Sequence, residues 1–267
     1  MSSATRSSRA DRVFHVFCAL CATLPLAFGA WFVLTTLVHA LPGLSSPAVR
    51  SGLVLTLVQS ARTVGFALAL ALPVGIAAAV HLEHYAARST FTSLAERSIA
   101  LLAAVPSVLY GLFGVALLSG SFGVRSTRTM AAFTLAVFLF PVVVVRARAA
   151  LRTVPPLVRD ATLALGADPW RALVHVVLPL AMRTLIAEVL LVLARALGTA
   201  APLLVVDALS PPRKFTIEPL AVLIFHAATD PATPTIAAAA VVVLLGLIVV
   251  LHAISHALST RRSNAWQ

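Results

Sequence analysis

Charge is scarce in this chain and lysine nearly absent: 11% of the 267 residues are charged, and Lys214 is the only lysine. A soluble domain carries roughly a quarter charged residues, so a chain that is 60% hydrophobic has to face something other than water. The missing lysines exclude a second possibility. A phosphate-cradling P-loop ends in Gly-Lys-Ser/Thr, but Phe215 follows Lys214. The chain therefore has no Walker A site of its own, and any drive from ATP has to come through a partner. Cysteine is limited to Cys18 and Cys21. A lone Cys-x-x-Cys within an apolar helix is a weak metal or redox signal, and the pair reads as packing residues. His81 and His84 flank Glu83 at the end of an apolar run, a pattern that reads as a solvated helix end, and His15, His39, His252 and His256 are scattered. No metal site is expected.

What is present is a series of long apolar runs, near residues 13–40, 63–82, 98–118, 129–145, 184–208 and 235–254. Each is about long enough to cross a hydrocarbon core of roughly 30 Å. Such spans have to be helical, because lipid offers an open backbone no hydrogen-bond partner, and the short alternating segments of transmembrane strands are missing. The expectation is an all-α membrane protein with six transmembrane helices. Arg6, Arg9 and Arg12 precede the first run as they would in a signal peptide. That run continues well past a usual h-region, so 1–12 is expected to be a tail and 13–40 an uncleaved first helix.

The net charge of +11 invites a nucleic-acid reading, which its distribution rejects. With the N-terminus inside, thirteen basic residues fall in inner segments (Arg6, Arg9, Arg12, Arg88, Arg97, Arg146, Arg148, Arg152, Arg159, Arg171, Arg183, Arg261, Arg262) and five outside (Arg50, Arg125, Arg128, Arg213, Lys214). This asymmetry follows the positive-inside rule and puts both termini in the cytoplasm. The remaining connections read as an outer loop at 41–50, an inner one at 83–97, a Gly/Ser-rich outer turn at 119–128, and a long outer segment at 207–234 with a short helix at about 219–228. Residues 48–260 form the expected transmembrane domain, and no internal repeat is evident.

The inner segment at about 151–182 is patterned differently. Pro155 and Pro156 suit a helix start, Leu157–Leu165 reads as a helix, and Gly166 fits the left-handed residue that ends one. Asp168 can then cap a second helix, with Pro169 at its first position. Pro179 marks the transition into the fifth membrane helix. A helix–Gly–helix element protruding from a bundle reads as a docking device; the plainer alternative is an amphipathic pair on the membrane surface.

This segment reads Asp160-Ala161-Thr162-x3-Gly166-x9-Val176-x-Leu178-Pro179 and closely resembles the EAA loop of ABC importer permeases, with Asp for Glu at 160, Thr for Ala at 162 and Val for Ile at 176. In that family the loop sits in a groove of the cytoplasmic ATPase, so the resemblance implies a coupling role for Asp160, Ala161, Gly166, Leu178 and Pro179. Three further stretches resemble one branch, the PstA-type permeases of phosphate importers: Leu82–Ala86, Val105–Gly114 (with Pro106, Ser107, Tyr110, Gly111 and Gly114) and Ala194–Leu204 (with Gly198 and Pro202). The last departs from the family's ARALGETAPLL, since Thr199 replaces its Glu and Ala200 its Thr. The resemblance implies a type I (MetI-like) permease fold and a phosphate-permease function without enzymatic activity. It further implies a homologous PstC-type second permease, a PstB-type ATPase dimer binding ATP and Mg, and a periplasmic phosphate-binding protein. The setting is the bacterial inner membrane, with lipid and not nucleic acid as the surroundings.

Arg195 stands about midway along the fifth run. An arginine at that depth costs about 2.5–3.5 kcal/mol on insertion scales if exposed to lipid, so it should face a cavity, a partner chain or a counter-charge. Its fork of donors suits oxyanions; a structural ion pair at a subunit interface is the alternative, and the family resemblance favours the anion. Glu188 shares its face about 10 Å away along the axis, too far for comfortable pairing, and is a candidate to replace the carboxylate missing at Thr199. Arg62 is a further pathway candidate, although an arginine near a helix end can snorkel to the interface. An intramembrane enzyme, which would need a nucleophile paired with a base within the bundle, is disfavoured because Ser107 has no His or Lys at its depth. The competing transport reading is another oxyanion (phosphonate, sulfate or molybdate), and a non-transporting structural partner is the remaining alternative.

Overall fold

The computed structural model describes residues 4–87, 89–209 and 218–260; Arg88, Arg213, Lys214, Arg261 and Arg262 lie outside the described residues. Among those described there are helices and turns and no strand. We number the helices α1 (Ala4–Ser45), α2 (Pro47–Tyr85), α3 (Thr90–Ala104), α4 (Ser107–Ser121), α5 (Thr127–Leu151), α6 (Pro156–Ala164), α7 (Pro169–Gly198), α8 (Ala201–Leu209), α9 (Leu220–Thr229) and α10 (Pro234–Thr260). Five (α1, α2, α5, α7 and α10) are each long and apolar enough to cross a membrane. The bent pair α3–α4 makes a sixth span if its two limbs are taken together.

Helix α5 is the axis of the bundle. Leu135, Leu139, Val143 and Val144 on it are almost fully buried, with α2 on one flank and α7 on another. The α2 contact is close because of Gly75: a Cβ there would lie 2.6 Å from a methyl of Val143. One core joins Val64, Leu68, Ala71, Tyr110, Phe138, Leu139 and Val192; a second joins Val144, Ala147, Leu151, Leu173, Val177 and Ala181 beneath the coupling segment. By contrast α1 leaves Phe14, Phe17, Leu24, Phe28 and Trp31 exposed, an apolar surface that only lipid or another chain can cover.

Four boundaries differ from the sequence expectation. The outer loop expected at 41–50 is reduced to Ser46 between α1 and α2. Pro42 and Gly43 remain helical, and a Cβ on Gly43 would come 2.7 Å from the Thr235 carbonyl of α10, so the glycine serves close packing. The connector expected at 83–97 is mostly helix: α2 ends in a wide turn, and Ser89 starts α3 by accepting the Thr92 amide. The span expected at 98–118 is bent by 95°, because Pro106 holds Val105 extended (ψ 134°) and ends α3. The span expected at 184–208 breaks at Thr199, which is also extended (ψ 107°). Two expectations hold closely: the short helix at about 219–228 is α9, and the Gly/Ser turn near 119–128 contains Gly123 at φ 63°.

Candidate substrate pathway and coupling segment

The coupling segment follows its sequence pattern at the Gly166 corner. Helix α6 stops at Ala164, Gly166 takes φ 89°, and the Asp168 carboxylate accepts the Arg171 amide at 2.8 Å. The second helix then differs from expectation, since it runs without interruption through Pro179 to Gly198. A wide turn at Leu173–Val177, in which the Leu178 amide reaches back to the Leu173 carbonyl, makes room for the proline ring that would otherwise clash with the preceding turn. The tip of the segment is apolar and open: Leu157, Leu165 and Trp170 are each more than 60% exposed. Asp160, Ala161 and Gly166 are exposed beside them, while Leu178 and Pro179 lie at the root of the segment, where Val177 is buried.

A charged network absent from the sequence reading ties this segment to the bundle. Glu83 at the end of α2 accepts Arg148 at 3.2 Å and Arg152 at 3.0 Å, and Arg148 also meets Glu96 of α3 at 2.8 Å. The Glu83 contact pushes the Arg152 guanidinium pKa further up. Arg159 of α6 donates to the His84 carbonyl at 2.9 Å. Glu83 is thus an arginine acceptor. The retrievable signal was the juxtaposition of Glu83 with Arg148 and Arg152, three residues of apolar-helix ends expected on the same side.

Deeper in the bundle the motif residues meet. Gly111 of α4 abuts α8: a Cβ there would lie 2.7 Å from Val205 and 2.9 Å from the Pro202 carbonyl, so the two family-like stretches form one contact. Gly114 is equally constrained, since a Cβ would overlap the Thr134 hydroxyl. Ser107 begins α4 after Pro106, and the Tyr110 hydroxyl donates to the Leu102 carbonyl at 2.8 Å, bridging the bend. Tyr110 packs edge-on against Phe138 (centroids 5.4 Å apart), and the Arg195 guanidinium lies over the Phe138 ring, 5.5 Å from its centroid. Phe138 is the twelfth residue of the 25-residue α5, which fixes Arg195 at mid-span.

No carboxylate pairs with Arg195 among the described residues. Glu188 instead meets Arg146 of α5 at 3.2 Å. Thr199 donates its hydroxyl to the Arg195 carbonyl at 2.6 Å, closing the end of α7, and Gly198 passes Ile248 closely. Arg62 is far from Arg195 in depth and shares a cavity with Arg128 near the start of α5.

Residues 71–264 match the family described as binding-protein-dependent transport system inner membrane component. The chain belongs to that family. Among curated relatives, the phosphate transport system permease protein PstA 1 of Mycobacterium tuberculosis (strain H37Rv) is 32% identical over 178 residues, covering 66% of this chain and 58% of the relative. The PstA of Haemophilus influenzae is 30% identical over 183 residues, covering 65% of this chain and 64% of the relative. A PstC 2 permease of M. tuberculosis is 32% identical over 164 residues, 52% of this chain and 50% of that one. The alignment thus spans little more than half the length of the first of these relatives. In fold, the chain matches a chain of the inward-facing MetNI methionine ABC transporter at TM-score 0.63 and 18% identity, covering 79% of this chain and 95% of that one. The fold is that of a MetI-like ABC importer permease, and this family member is a multi-pass membrane protein.

Proposed function

We propose that this chain is the membrane-spanning permease subunit of an ATP-driven phosphate importer, forming half of the translocation pathway. One observation carries the reading: a mid-span arginine, Arg195, held over Phe138 with no carboxylate partner among the described residues, in a stretch that resembles the PstA permeases. A cation held at mid-span of a membrane bundle without a counter-ion is unfavourable unless an anion visits it. Guanidinium supplies a donor fork that matches phosphate. The substrate pathway is assigned to Arg195, with Thr199 shaping the helix end beneath it, Glu188 holding α7 to α5, and Arg62 toward the outer side.

The exposed apolar tip of Leu157, Leu165 and Trp170 supports docking on a cytoplasmic PstB-type ATPase dimer, which would hold the ATP and Mg. A PstC-type permease completes the pathway and an extracytoplasmic binding protein delivers phosphate; both termini are cytoplasmic. The permease itself catalyses no covalent step. ATP binding acts by favouring one of two pathway states through the coupling segment.

A second reading, transport of another oxyanion, is favoured by Thr199: its hydroxyl is committed to a backbone carbonyl and puts no carboxylate beside Arg195. The two are separated by ATP-dependent uptake of labelled phosphate into vesicles containing the assembled transporter, challenged with excess sulfate, molybdate and phosphonate. Phosphate import displaced only by unlabelled phosphate is expected. Import of a different oxyanion in its place overturns the substrate and keeps the architecture.

A further inference from the structure

A cavity of about 280 Å³ lies between α2 and α5, at the end of the bundle opposite the coupling segment, lined by Arg62, Thr63, Phe66, Arg128, Thr129 and Ala132. Two guanidiniums thus face one space. Neither forms an ion pair or a hydrogen bond among the described residues, in contrast to Arg146, Arg148 and Arg152 at the other end.

A third observation is independent of the arginines. Thr63 is only 2% exposed, and its hydroxyl has no hydrogen-bond partner. On the same helix the hydroxyls of Thr56 and Ser60 donate to carbonyls of their own preceding turns at 2.9 Å; the Thr63 hydroxyl does not, and the Gln59 amide nitrogen one turn earlier is likewise unmatched. A buried polar group left unmatched is costly, and Thr63 lines the cavity with two cations. The start of α5 adds the positive end of a 25-residue helix dipole.

We infer that this cavity is an anion site for a phosphoryl group, held by the Arg62 and Arg128 guanidiniums and the Thr63 hydroxyl. The donor set is cationic and hydrogen-bonding on one side and offers no carboxylate to repel an oxyanion. Phe138, beside Arg195, is ten residues further along α5 than Arg128, or roughly 15 Å at about 1.5 Å per residue. The site is therefore a separate station from Arg195. The group can come from inorganic phosphate in the aqueous phase or from the headgroup of an anionic phospholipid. The first source rests on the phosphate-import reading; the second does not.

The test reads the two arginines directly. The assembled transporter, in phospholipid-free maltoside micelles, is treated with the arginine reagent phenylglyoxal, and modification of each arginine is followed by peptide mass spectrometry. Arg50, exposed on α2 outside the cavity, is the internal control. Occupancy slows modification by the mass-action factor, about tenfold at a ligand concentration about ten times the dissociation constant. The expected result is slowing at Arg62 and Arg128, and not at Arg50, by inorganic phosphate. Slowing only by added phosphatidylglycerol assigns the site to a lipid headgroup and also supports it. Unchanged modification with both ligands overturns the inference, as does resistance of both arginines to the reagent before any ligand is added, which would show a partner chain covering them. Phosphate uptake measured on the same preparation separates this failure from that of the transport reading: uptake without protection sinks only the site.

Discussion

The two ends of the bundle use arginine in opposite ways. At the coupling end Arg146, Arg148 and Arg152 each meet a carboxylate, from Glu188, Glu83 or Glu96, at 2.8–3.2 Å. At the far end Arg62 and Arg128 share a cavity without one, and between the ends Arg195 rests on the Phe138 ring. The paired arginines satisfy their charge inside the chain, so their work is structural: they join α2, α3, α5 and α7 where the coupling segment would push on them. On the reading proposed above, the unpaired ones take their anion from outside the chain. A cation kept near or within a membrane without a counter-ion is unfavourable, and a fold retains it only where something else gains. Removing an unpaired arginine should therefore spare the fold and damage transport, and stripping a paired one should do the reverse.

The largest effect is expected at Arg195. Arg195→Gln keeps a polar side chain but loses the charge-assisted bonds to the anion, about 1.5–3 kcal/mol, so phosphate uptake should fall by about ten- to a hundredfold. Thermal stability should drop by only about 0.5–1 kcal/mol, the cation–π contact with Phe138. Uptake and melting of the purified complex measure both. A variant that melts far earlier and transports normally when folded would move Arg195 to the structural class.

Glu83→Gln probes the other class. It leaves Arg148 with Glu96 alone and Arg152 without its carboxylate. Arg148 is largely buried, so its loss should cost about 1–3 kcal/mol, while the exposed Arg152 contact adds at most about 1 kcal/mol. The expected outcome is a lowered melting temperature and more ATP hydrolysed per phosphate imported, with the KM for phosphate unchanged. A raised KM at normal stability would erase the distinction between the two ends.

How far these roles could be read from sequence depends on the range of the interaction concerned. The Gly166 corner of the coupling segment was legible residue by residue, because Gly166, Asp168 and Pro169 act through local backbone geometry: a left-handed residue, a cap and a fixed φ. The six apolar runs gave the span count for the same reason. The bend at Pro106 and the break at Thr199 were not legible, since each lies inside an unbroken apolar run and hydropathy carries no bend angle. In the structure Pro106 ends α3, and the tertiary staple from Tyr110 to Leu102 completes the bend. Pairing was the least accessible. Glu188 shares a helix face with Arg195, yet it meets Arg146, 42 positions away in sequence, and Arg62 shares a cavity with Arg128 across 66 positions only because α2 and α5 pack side by side. Periodicity along one helix says which face a residue occupies and nothing about which neighbour covers that face.

A smaller effect is expected from Arg62→Gln combined with Arg128→Gln. Both side chains are exposed in this chain, so solvent weakens their hold on an anion, and loss of about 1 kcal/mol corresponds to an approximately fivefold rise in KM for phosphate. Maximal uptake should stay within about twofold, because Arg195 and the coupling segment are untouched. A fall in maximal uptake at constant KM would place the two arginines in the conformational change and not in capture.

The smallest effect is expected at Thr199, where sequence and structure give different emphasis. The family resemblance presents it as a lost carboxylate; the structure presents it as a donor to the Arg195 carbonyl at 2.6 Å, closing an otherwise open helix end. In the second role the hydroxyl matters and the methyl does not. Thr199→Ser should then match the parent, and Thr199→Val should lose about 0.5–1.5 kcal/mol of stability and no more than about fivefold in uptake, with KM unmoved. A rise in KM for Thr199→Val would mean that the hydroxyl leaves the carbonyl for the anion during transport. Thr199 would then join Arg195 as a second donor at the position where the PstA-type motif that this stretch resembles has an acid. That outcome would also explain how the pathway works without that acid: a neutral donor beside an unpaired arginine binds an oxyanion without repelling it, whereas a carboxylate would first have to be held by the arginine itself.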